Sequence, residues 1–104
     1  MTFEEVLAVL LGWVGRRLSV GIATAGEAPI MIGNMAGTLR AGSELEAHGE
    51  EAAVYFHFED AGTGFILARQ HFAGAGWHAE DRSTLVVRLG AVSLWIEIEQ
   101  EPAG

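Results

Sequence analysis

"MAGTLRAG", residues 35–42, sets two glycines into a stretch that otherwise alternates like a β-strand. In the longer run "IMIGNMAGTLR" (residues 30–40), Met31, Gly33, Met35, Gly37 and Leu39 fall on one face at period two. Glycine weakens a flat strand but permits a bulge, a sharp bend or a close backbone approach. Curled sheets require such points. Two structures are therefore open: a strongly bent strand, or a strand interrupted by a loop at its glycines. The first leads to a sheet wrapped into a small open barrel.

The residues before this run support a helix followed by a strand. In "TFEEVLAVLLGWVG" (residues 2–15), Thr2 and Glu5 have capping-box spacing, in which each side chain accepts from the other residue's backbone N–H. Met1 and Val6 are placed to form the accompanying hydrophobic staple. Phe3, Val6, Leu7, Leu10 and Val14 make one apolar stripe, Trp13 lies beside it, and Gly15 is a stop signal. "RRLSVGIAT" then switches to period two, with Leu18, Val20 and Ile22 on one face and Arg17, Ser19 and Gly21 on the other. "AGEAP" (residues 25–29) is a loop.

After the glycine-bearing run, "AGSELEAHGEEA" (residues 41–52) reads as an acidic, solvated connection. "AVYFHFED" and "GFILARQHF" flank "AGT" as a hairpin. A two-residue turn at Ala61-Gly62 would pair Phe58 with Phe65 and Phe56 with Leu67, leaving Tyr55 and His57 on the opposite face with Ile66 and Ala68. "AGAGWHAEDR" (residues 73–82) reads as a turn and a short strand around Trp77. In "STLVVRLGAVSLWIEIE", Gly90-Ala91 places glycine first, as a type II′ turn requires. That turn sets Leu89 opposite Val92, Val87 opposite Leu94 and Leu85 opposite Ile96. All six are apolar, so turn chemistry and alternation select one register. The other face pairs Arg88 with Ser93, Val86 with Trp95 and Thr84 with Glu97, and continued outward it sets Arg82 opposite Glu99.

No repeat or linker divides the 104 residues, so a single domain over residues 1–104 is expected. Half of the residues are hydrophobic and 19% are charged, enough apolar surface for a core without disulfide or metal. There is no cysteine, which removes disulfides, thiolate ligands and cysteine nucleophiles. The net charge of −8, with six arginines as the only cations besides histidine, disfavours nucleic acid and anionic membranes. The first apolar run follows Glu4 and Glu5 instead of a basic segment, and no stretch approaches the roughly 20 apolar residues of a membrane span. A cytoplasmic location is expected.

An N-terminal helix followed by a highly bent five-strand sheet resembles the Sm-like family of small β-barrels. "GRRLSVGIA" looks like that family's first strand leaving the helix. "MAGTLRAGS" is similar to its second strand, with a G-x-L pattern (Gly37, Leu39) at the bend. The resemblance, over roughly residues 1–72, implies that one long strand serves both halves of the barrel and that copies assemble into rings. It does not extend to the RNA-contacting positions. Ser43 stands where family members commonly carry aspartate, "ELEAHGEE" lacks asparagine, and "LARQ" offers Arg69 before Gln70 in place of Arg-Gly.

No catalytic constellation emerges. The serines lack the G-x-S-x-G elbow, and "AGTG", "AGAG" and "GIATAG" match neither phosphate-binding nor dinucleotide-binding loops. His48, His57, His71 and His78, with Glu80 or Asp81, lack metal-ligand spacing. An enzyme is disfavoured, and no cofactor or metal is expected. The candidate interaction residues are Trp95 and Val86, which project opposite Leu94 and Ile96, together with Tyr55 and His57. Left uncovered, Trp95 and Val86 form an apolar patch that calls for a partner. The expected molecule is mainly β, an N-terminal helix and five or six antiparallel strands in a strongly bent sheet or small open barrel, Sm-like or SH3-like. Its expected role is self-association or protein binding. The alternatives are an Sm-like RNA binder and a small metal-dependent or ligand-binding barrel.

Overall fold

A computed structural model describes residues 1–46, 53–59, 61–78 and 83–99, with the backbone alone for residues 42–46. Helix α1 (Phe3–Gly12) is followed by β1 (Arg17–Thr24), β2 (Met31–Glu46), β3 (Ala53–Phe58), β4 (Thr63–Ala68), β5 (Phe72–Trp77), β6 (Thr84–Leu89) and β7 (Val92–Ile98). All seven strands belong to one antiparallel sheet of order β4-β3-β2-β1-β7-β6-β5, and no pairing closes β4 onto β5.

β2 is continuous and changes partner in the middle. It pairs with β1 up to Thr38 and with β3 from Leu39 onward. Gly37, buried and still extended at φ 158°, faces Leu18 immediately before the change. The glycine therefore marks a bend, and the interrupted-strand alternative is removed. The turn leaving α1 reinforces this point: Gly15 N–H donates to Leu39 O at 2.8 Å, and Leu39 N–H donates to Arg16 O at 3.0 Å. Gly15 takes φ 91°, a left-handed conformation that favours glycine. The helix itself stops earlier than the stripe suggested, at Gly12 with Trp13 as C-cap.

The curled sheet encloses the core on its inner face. Leu18 and Val20 of β1, Leu39 of β2, Phe56 and Phe58 of β3, and Phe65 and Leu67 of β4 meet Leu85, Val87, Leu94 and Ile96 of the last hairpin. Phe3, Val6 and Leu10 of α1 complete the cluster. Fully burying a side chain of this type stabilises by roughly 1.5–3 kcal/mol, so this single cluster dominates the fold. Phe56 and Phe65 stack at 5.5 Å between ring centroids, and Phe3 meets Phe72 edge-on at 5.8 Å.

The β6–β7 register is the expected one at all six pairs, with Gly90 at φ 62° in the turn. Arg82 lies outside the described residues; Glu99 is paired with Arg17, at 2.8 Å. The other expectations need four corrections. Seven strands form, not five or six, because Phe72–Trp77 is extended throughout along β6. The acidic run does not leave the sheet at Ala41; β2 continues to Glu46 because β3 supplies its ladder, with two register breaks. The β3–β4 hairpin has a connection at residues 59–62, so Phe58 faces Thr63 and Phe56 faces Phe65. This slip of two residues leaves every side chain on its expected face. Finally, a bulge opposite Ile22/Ala23 leaves Ile32 as the extra residue, and Met31 crosses to the outer face.

The capping box is formed: Glu5 N–H donates to Thr2 Oγ1 and Thr2 N–H to Glu5 Oε1, both at 3.1 Å. Arg69, just after β4, holds the same helical turn by pairing with Glu4 and lying 4.6 Å over the Phe3 ring. The Arg69 hydrogen bond holds the Glu4 carboxyl below its usual value, and the Thr2 backbone N–H does the same for Glu5. A carboxyl depressed in the folded state contributes stability that is complete above its unfolded pKa of about 4.3 and is lost as pH falls through the folded value. The first turn of α1 should thus lose amide protection as pH falls below the ordinary carboxylate range, as hydrogen exchange would show. Thr2→Ala should lower stability by about 1 kcal/mol in denaturant melts.

The glycines give a second, internally controlled expectation. A Cβ at Gly64 would lie 2.3 Å from Phe56 O and 2.8 Å from His57 Cα, both backbone atoms, whereas one at Gly33 meets only Ile22 Cδ1 at 3.8 Å. Gly64→Ala should therefore destabilise by about 1–3 kcal/mol. Gly33→Ala should stay within about 0.5 kcal/mol of the native chain in the same measurement.

Candidate binding surface on the outer sheet face

Helix α1 covers the inner face, and the outer face carries a cross-strand row, Gly76–Val86–Trp95–Gly21–Asn34, running from β5 to β2. Trp95 stands between Val86 and Gly21. Period-two alternation puts it here, because Leu94 and Ile96 on either side are drawn into the core. Its indole N–H donates to Ser93 Oγ at 3.2 Å, which fixes the ring's orientation. His78, directly after β5, meets the indole edge-on at 4.8 Å. On the opposite flank the Met31 thioether occupies the space above Gly21, where a Cβ would lie 2.7 Å from its methyl carbon. The β2 bulge is what delivers Met31 to this position.

Trp95 and His78 form a ridge between two hollows. The larger, about 570 Å³, lies beside Met31 and is lined by Ser19, Asn34 and Glu97. The smaller, about 320 Å³, lies over Gly76 and is bounded by Val86, Arg88 and the loop around Pro29.

Trp95 and Val86 thus form an uncovered, half-buried pair. Tyr55 and His57 form a separate cluster. They stack at 5.8 Å on the outer face of β3, beside Ile66, with β2 and β1 between them and β7. The structure does not bring the four residues into one site. His57 Nδ1 is buried without a hydrogen-bond partner. His71 ends the 3-10 turn before β5, while His48, Glu80 and Asp81 lie outside the described residues. Among the described residues, no three histidine, aspartate or glutamate side chains converge as a metal site. No described helix is long and apolar enough to cross a membrane.

Three features of this surface were missed in the sequence: the His78–Trp95 contact, the crossing of Met31, and the glycine floor of the smaller hollow at Gly76. The G-x-G spacing of Gly74 and Gly76 is the one available signal, since it strips the outer face of β5 of side chains. No known family, curated protein or solved structure matches the chain.

The ring contact predicts a spectroscopic effect. Trp95→Leu should shift the His78 ring proton resonances while leaving those of His57 in place, measured by NMR on the folded variant.

Proposed function

We propose that the chain is a non-enzymatic small β-domain of the open-barrel, Sm-like or SH3-like kind, which works by self-association through the free edge of β4. Support for the architectural part comes from the helix-first order and from β2, which serves both halves of the sheet and changes partner beside Gly37. The β4 edge carries the functional part. Among the described residues Thr63–Ala68 bonds to β3 on one side only, in unbroken register, and the strand contains no charge and no proline. Edge strands normally carry such blocking features, and one without them is a template for another strand.

The opposite edge is different. β5 is bulged between Phe72 and Gly74, α1 packs against it, and the amino nitrogen of Met1 donates to Ala75 O at 3.0 Å. With β5 covered, head-to-tail pairing into a ring is disfavoured, and β4 pairs with β4 of a second copy. That contact is self-complementary and closes as a two-fold dimer. Net charge weighs against nucleic acid as the partner.

Light scattering should give the mass of two 11.1 kDa chains, falling to one on dilution. Ile66 is half exposed beside Tyr55, and Ile66→Lys should yield a folded monomer. A native chain that stays monomeric at high concentration, or a variant that still dimerises with equal affinity, refutes the proposal. Tight, salt-sensitive binding of short single-stranded RNA would favour an RNA-binding role instead.

A further inference from the structure

The smaller hollow on the outer face has a charge character opposite to that of the whole chain. The sequence carries 14 carboxylates against six arginines, yet among the described residues no aspartate or glutamate lines this hollow, whose titratable groups are Arg88 and His78. Arg17, Arg40 and Arg69 are tied to Glu99, Glu59 and Glu4. Arg88 has no ion partner among the described residues. The register explains why: its cross-strand neighbours are Gly74, which has no side chain, and Ser93, which is buried. A carboxylate across the ladder would stabilise an exposed arginine. Here the opposing positions leave its guanidinium available.

Around Arg88 the lining is mixed, with Thr24, Ser93 and His78 beside an apolar part made by Trp95, Val86 and Gly76. Trp95 and Val86 provide the wall, with the indole held by Ser93. Gly76 forms the floor, and a Cβ there would meet nothing within 4 Å, so open space begins at the backbone. A volume of about 320 Å³ is at the small end of small-molecule sites, which span about 300–1,000 Å³. A guanidinium presents paired N–H donors that match a carboxylate in two-point geometry.

We infer that this hollow is a binding site for a small planar aromatic carboxylate, its ring lying over Gly76 against Trp95 and Val86 and its carboxylate paired with Arg88. The site lies on β5, β6, β7 and the segment from Thr24 to Pro29, and none of its lining residues belongs to β4, so it stands independently of self-association.

The probe is naphthalene-2-carboxylate, titrated into the full chain by heteronuclear NMR and calorimetry, with the neutral alcohol naphthalen-2-ylmethanol as control. Saturable shifts of the Trp95 indole N–H and the Val86 methyl groups are expected, with the alcohol binding at least tenfold more weakly. Arg88→Met should weaken the carboxylate at least tenfold and bring it level with the alcohol. Gly76→Val, which fills the floor with a good strand former, should abolish binding while retaining a cooperative melt. The inference is overturned if the carboxylate gives no saturable shift at Trp95 and Val86, if carboxylate and alcohol bind equally, or if folded Arg88→Met or Gly76→Val binds as the native chain does.

Discussion

Leu39 is where the two halves of the molecule are joined. Its N–H and C=O are both bonded to the turn that leaves the helix, its strand partner is Phe58, and its side chain is fully buried. A strand that remains paired on both sides while changing partners must turn within one or two residues. The missing side chain at Gly37 makes room for this on the crowded inner face, opposite Leu18. The curvature that allows β4 and β6 to contribute to one core follows from that turn.

The two faces of the sheet use glycine differently. On the inner face, Gly37 permits bending where apolar side chains converge. On the outer face, Gly21, Gly74 and Gly76 clear space around one fixed tryptophan. Met31 fills the space over Gly21, and nothing fills the space over Gly76. The outer surface is therefore uneven, with hollows on either side of a tryptophan whose indole N–H is bonded to Ser93.

Legibility of the sequence depended on whether a local rule and the tertiary pattern agreed. In the β6–β7 hairpin, Gly90 and six alternating apolar residues pointed to one register, which the structure has. In the β3–β4 hairpin, Gly62 does take a positive φ of 65°, but it ends a longer connection, and the rings of Phe56 and Phe65 set the pairing. Faces survived because the slip was even. Met31 was misplaced because a single-residue bulge leaves no compositional trace. Trp95 and Val86 were identifiable from alternation alone, whereas the contact with His78 was not, since it joins β7 to the end of β5 across the sheet. Which strands end as edges was equally hidden, because strand order is a property of topology and not of any segment.

The central position of β1 bears on the order in which the molecule can be made. Leu18–Thr24 is sandwiched between β2, which follows it directly, and Val92–Ile98 near the other end of the chain. During synthesis the first three strands can pair early, but the second margin of β1 stays open until Val92–Ile98 has left the ribosome. Non-local pairing of this kind folds slowly. Until β7 arrives, Leu18 and Val20 lack half their cover, and the nascent chain is most vulnerable to off-pathway association in that interval.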